Sequence, residues 1–155
     1  YVDPILRLDD QGDVYLNTGF GTGNYNGVKV FDGDLKEFEL ADVKILSETI
    51  TLTKGSSNNG GSNIYPVATA KGAKVVVVAE NLQDGEKEFI EFGVTDDGTD
   101  VFHTEYGNLR TDYQLIVPSF EFTATSEARL NILLGANVPA TNSVKITFSS
   151  TITKK

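Results

Sequence analysis

The chain has 155 residues, of which 39% are hydrophobic, which suffices for one domain with a real core and excludes compositional disorder. Its formal net charge is −9, and its thirteen basic residues are scattered, with only Lys154-Lys155 adjacent, so neither the phosphates of nucleic acid nor an anionic membrane surface is expected as a partner. There is no Cys, which excludes a disulfide framework, a zinc–thiolate site and a Cys nucleophile, and fits assembly in a reducing cytoplasm.

Tyr1-Val2-Asp3-Pro4 shows neither the basic nor the long apolar region of a signal peptide. Leu6-Arg7-Leu8 and Val14-Tyr15-Leu16 flank Asp9–Asp13 as a predicted hairpin. Gly19–Gly27 is glycine-rich and loop-like, Val28–Phe31 reads as a short strand, and Leu35–Val43 as a strand or a short helix. Residues 1–43 hold too few large apolar side chains to fold alone and are read as an attachment or shaft-like segment, with residues 44–155 as the main domain.

Ile45–Thr53 alternates as a strand, with Ile50 and Leu52 on one face and threonines on the other. Lys54–Asn63 is low in complexity and reads as a flexible loop. Ile64–Val67 carries Pro66, which places it at an edge or a strand start. Lys74–Glu80 is apolar on both faces, as in a buried central strand. Lys87–Leu109 reads as strand, turn and strand: Phe89–Thr95 and Val101–Tyr106 joined across Asp96-Asp97-Gly98-Thr99-Asp100, where Asp-Gly is a strong hairpin signal. Leu115–Thr123 alternates weakly around Pro118. Ala128–Leu134 and Val144–Ile152 alternate well. About eight strands at roughly 8–12-residue spacing define an all-β chain, a jelly-roll-like β-sandwich preceded by a small Gly-rich N-terminal β segment.

The candidates for chemistry are few. His103 is the only histidine; it lies mid-strand with no nucleophile-elbow pattern beside it, and reads as a structural side chain. Asp9–Asp13, Asp32-Gly33-Asp34 and Asp96–Asp100 bunch carboxylates as calcium loops do, but lack the twelve-residue spacing with a terminal Glu, so they read as turns and no metal is expected. Glu88, Glu91 and Glu105 are strand residues, with Glu91 and Glu105 able to oppose each other across the hairpin; they read as solvated charges of the outer face rather than a glycosidase pair. Gly19-Phe20-Gly21-Thr22-Gly23 lacks the Lys-Ser/Thr of a phosphate-binding loop, and no cofactor is expected. Tyr25, Tyr106 and Tyr113 are the candidate binding residues, since tyrosines in loops and at strand ends stack on sugars.

In order and spacing, Lys74–Glu80, Glu88–Thr95, Asp97-Gly98-Thr99, Thr104-Glu105-Tyr106, Ala128-Arg129-Leu130 and Ser143-Val144-Lys145-Ile146 resemble a β-rich segment of structural proteins of tailed phages, especially those of marine cyanobacteria. The resemblance spans about Ala70 to Ile152. It implies a virion protein, a tail fibre, tail appendage or capsid decoration. It implies assembly rather than catalysis, other virion proteins as partners, a homo-oligomer (commonly a trimer), and in some cases host surface glycans as ligands.

Overall fold

A computed structural model describes the backbone of residues 6–8, 14–16 and 37–39, and backbone and side chains from residue 42 to residue 155. The chain divides into two compact units, Tyr1–Leu35 and Lys36–Lys155. In the first, β1 (Leu6–Leu8) and β2 (Val14–Leu16) pair antiparallel as the sequence predicts. The Asp9–Asp13 and Asp32–Asp34 turns, Gly19–Gly27 and Val28–Phe31 lie outside the described residues.

The second unit is built from β3 (Glu37–Glu39), β4 (Val43–Thr53), β5 (Asn59–Pro66), β6 (Ala70–Asn81), β7 (Lys87–Asp96), β8 (Val101–Arg110), β9 (Ile116–Phe122), β10 (Glu127–Leu134) and β11 (Ser143–Lys154). No helix occurs among the described residues. Two antiparallel sheets form, one in the order β3-β4-β11-β6-β7-β8 and the other β5-β10-β9. Counting from β4, the first, last and third strands adjoin in the large sheet while the second and seventh adjoin in the small one, which is the jelly-roll interleaving; β6-β7-β8 and β9-β10 are added hairpins.

Alternate side chains of the two sheets fill the space between them, as the period of two requires. Val75, Val77 and Ala79 of β6, Ile90, Phe92 and Val94 of β7, and Val144, Ile146 and Phe148 of β11 meet Leu130, Ile132 and Leu134 of β10, with Ile64 and Ile116 closing the small sheet. Burying each such side chain contributes about 1.5–3 kcal/mol. The inward residues of Ala128–Leu134 and Val144–Ile152 are those the alternation predicts.

Two expectations are corrected. Lys54–Asn63 is not a flexible loop: a tight turn, with the Thr53 and Ser57 amides bonded to Ser57 and Thr53 carbonyls, leads into β5, which pairs with β10 from Asn59 onward. The glycines that suggested flexibility serve close approach instead. A Cβ on Gly61 would lie 2.3 Å from the Leu130 carbonyl oxygen, so only glycine lets β5 lie this near β10. Lys74–Glu80 is central in its sheet, between β11 and β7, but only one face is covered: Val75, Val77 and Ala79 are buried, whereas Val78 on the other face is 40% exposed. Among the described residues, a three-stranded sheet covers one face of a six-stranded one and none covers the other.

Gly61→Ala is expected to destabilise the domain by about 1–3 kcal/mol through overpacking against backbone. Urea unfolding checks this; an unchanged midpoint would contradict the close approach.

Candidate functional site

The β7–β8 hairpin forms one edge of the large sheet and carries most of the residues singled out from the sequence. Its turn is closed by Asp97. The Asp97 Oδ1 accepts from the Thr99 and Asp100 amides at 2.9 Å and from the Thr99 hydroxyl at 2.8 Å, while Asp96 Oδ1 accepts from the Gly98 amide. The bonds to Asp97, led by that from the Asp100 amide and then those from Thr99, lower its pKa. The carboxylate is thus committed to its own backbone, as a turn requires. No group of three or more possible metal ligands occurs among the described residues.

β8 extends beyond the predicted Val101–Tyr106 to Arg110, and it is bulged. Glu91 pairs with Gly107 but Phe92 with Glu105, so Tyr106 is the extra residue. The bulge corrects the expected opposition of Glu91 and Glu105. Glu91 faces outward and pairs with Lys74 at 2.9 Å, while Glu105 stands opposite inward-facing Phe92. Tyr106 lies across Gly93, whose missing side chain leaves room for the ring, and is 69% exposed. His103 packs on Phe120 with ring centroids 4.6 Å apart and on the edge of Phe92 at 6.2 Å; it is a structural contact at the mouth of the sandwich.

Glu88 also departs from expectation. It is not a solvated outer-face charge: it is 1% exposed and points between the sheets. Its carboxylate accepts from Arg110 Nε at 2.7 Å and from the Leu115 and Ile116 amides at 2.8 and 3.0 Å. Strand alternation does assign residue 88 to the same face as Ile90 and Phe92; the expectation failed because the partners lie 22 or more residues away in sequence.

Tyr113 belongs to a second polar knot. Its hydroxyl donates to Asp84 at 2.6 Å and accepts from Asn81 Nδ2 at 2.8 Å, and Asn81 Oδ1 accepts from Asn142 and from the Gln83 amide. Partial burial first, and then Asp84, raise its pKa. Tyr65, buried in the core, is raised by burial and secondarily by Asp96, though the pair falls short of hydrogen-bonding geometry. Tyr25 lies outside the described residues.

The exposed feature that remains is apolar. On the bare face of the large sheet Val78, Phe89 and Leu109 stand in one cross-strand row, 40%, 37% and 70% exposed, and Phe102 further along β8 is 52% exposed. The sequence reading missed Phe102 and Leu109 as surface residues. In Phe102-His103-Thr104-Glu105-Tyr106 either face is a plausible inside, and the bulge that reverses the alternation before Leu109 has only Gly107 as its mark.

No family model and no curated protein matches the chain. Among solved structures it is similar to an Acinetobacter phage tailspike protein at 12% identity and a TM-score of 0.40, over 83% of this chain. The chain spans about a quarter of that tailspike, 24% of its length. A likeness at this score carries no functional argument.

Glu88→Ala leaves Arg110 and two buried amides without their acceptor, and is expected to cost about 3–5 kcal/mol in urea unfolding, with Glu88→Gln costing less. Asp97 has a lowered folded pKa, so its contribution is fully present above the unfolded value and is lost as pH falls through the folded one. The stability difference between wild type and Asp97→Asn should therefore be constant above about pH 5 and shrink below about pH 4. Melts across that range check it; a pH-independent difference would remove the carboxylate from the account.

Proposed function

We propose that the chain is a structural protein of a tailed-phage particle, a tail fibre or appendage or a capsid decoration, that works by assembly and attachment rather than bond-making. The resemblance to such proteins, those of marine cyanobacterial phages in particular, supplies the particle. The observation that carries the assembly reading is the row Val78–Phe89–Leu109, three adjoining strands apolar and exposed on the outer face of the large sheet, the longest such row beside the exposed pair Val117–Leu133 of the small sheet. Exposed apolar residues that adjoin across strands mark a contact surface, and the net charge of −9 keeps free subunits soluble before they dock. Partners on this reading are other virion proteins and like copies of the chain, made in the host cytoplasm and carried on the virion. Of the residues expected to bind, Tyr113 spends its hydroxyl on Asp84 and Asn81.

A second reading, recognition of host surface glycan, draws on Tyr106 alone: the edge of its ring rests against Gly93 and the side chain is 69% exposed, so the ring is open to a stacking sugar.

Labelling the chain and imaging particles by electron microscopy should place it on the tail or capsid surface; particles that assemble and infect unchanged without it would overturn the structural reading. Glycan-array binding that disappears in Tyr106→Ala would move the account to the second.

A further inference from the structure

We infer that the free edge of β8 pairs antiparallel with β8 of a second copy of this chain, about a two-fold axis between Glu105 and Tyr106. The inference rests on the assembly reading for the premise that copies meet, and gives that meeting a surface and a register.

An edge strand offers unpaired N–H and C=O groups, and natural edges are blunted by Pro, Lys, shortness, bulges, inward-pointing charges or covering elements. Among the described residues, β3 at the other edge of the large sheet is three residues long, β9 carries Pro118, and β5 ends on Pro66. β8 is 10 residues long and holds neither Pro nor Lys; its bulge and Glu105 are its only such devices, and among the described residues no strand pairs on its outer side.

Its hydrogen-bond phase is fixed at both ends. The Thr111 amide donates to the Lys87 carbonyl, and the Asp97 amide to the Asp100 carbonyl. Bonded and non-bonded pairs alternate along an antiparallel ladder. Leu109 and Gly107 therefore bond to β7 on one side of the bulge, and Phe102 and Thr104 on the other. The N–H and C=O groups of Val101, His103, Glu105, Asn108 and Arg110 point to the free edge. Without the bulge these donors would share one parity; with it they are odd-numbered before Tyr106 and alternate the other way after it. An edge of either kind can pair with its own copy; the shift sets the register, placing the axis between Glu105 and Tyr106. Val101 pairs with Arg110 of the partner subunit and His103 with Asn108 of the partner subunit, each pair drawn from residues whose hydrogen-bonding groups are free. The contact is isologous, so every pair occurs twice.

Side chains agree with the backbone. On the outer face Phe102 comes opposite Leu109 of the partner subunit, joining the exposed apolar residues of the two copies into one patch across the axis. At each end Arg110, whose Nε is held by Glu88 of its own chain, comes beside the acidic turn, Asp96 to Asp100, of the partner subunit. The unfavourable element is at the centre, where the two Glu105 side chains share the inner face near the axis. The resulting unit is a pair, in place of the trimer that the resemblance implies.

The chain has no Cys, so introduced thiols report without background. In the full chain, Phe102→Cys with Leu109→Cys should oxidise to a covalent dimer on a non-reducing gel, while Ile45→Cys, exposed on β4 far along the sheet, should not. By sedimentation from micromolar concentration upward, Leu109→Asp should weaken self-association roughly tenfold or more with an unchanged circular dichroism spectrum, and Glu105→Gln should strengthen it. An oligomer indifferent to Leu109→Asp and uncrosslinked by the cysteine pair would overturn this edge while leaving the assembly reading intact. A monomer throughout, including one whose β8 edge is covered by the chain's own N-terminal residues, would overturn both the pairing and the like-copy part of that reading.

Discussion

One buried carboxylate holds the sandwich in its observed form. The chain must leave the large sheet after β8 and enter the small sheet at β9, and the residues that make the crossing bring backbone amides into the core. Glu88 accepts two of them, from Leu115 and Ile116, while Arg110 neutralises its charge. An ionised group between two sheets is costly to desolvate, and is tolerated only when its charge is paired and its oxygens are hydrogen-bonded. Both conditions are met here by groups from the strand and crossover that Glu88 ties down. The same contact fixes the C-terminal end of β8 against β7, so the geometry of the exposed edge follows from an interaction inside the core.

From that anchor the asymmetry of the domain follows. Three strands cover one face of a six-stranded sheet, and among the described residues none covers the other. A protein with only solvent to face would be expected to make that outer surface polar throughout. β11 does so, with Lys145, Thr147, Ser149 and Thr151 outward, while β6, β7 and β8 place Val78, Phe89 and Leu109 there. Ile45 of β4 is exposed on the same face, but only β6, β7 and β8 carry adjoining apolar residues there. The bulge at Tyr106 belongs to the same picture: it sets the parity of the strand and brings the edge of an aromatic ring against Gly93.

Much of the fold was legible in the sequence because its signals are local. Alternation in Ala128–Leu134 and Val144–Ile152 named the inward residues, and Asp97-Gly98 located the hairpin turn, since side chain and backbone there bond within a few residues. What sequence could not show depends on distant partners. Glycines in Asn59–Asn63 look the same whether they loosen a loop or let a strand approach its neighbour; the Leu130 carbonyl beside Gly61 decides. Val76 and Val78 read as buried because nothing local says that the small sheet lies on one side only. Of the candidate binding residues, Tyr106 could be recognised as a tyrosine near a strand end, but its bulge and its glycine seat could not. Tyr113 looked like a free loop aromatic until Asp84 and Asn81 claimed its hydroxyl.

The central claim is that the β8 edge is a pairing surface, and amide hydrogen exchange at that strand tests it most directly. The amides of Val101, His103, Glu105, Asn108 and Arg110 point away from β7, so their protection reports the outer side alone. The account predicts that these amides exchange fast in dilute protein and become protected together as concentration rises, while Phe102, Thr104 and Leu109 stay protected throughout. Fast exchange of the outward set at every concentration, with the neighbouring amides protected, would contradict it.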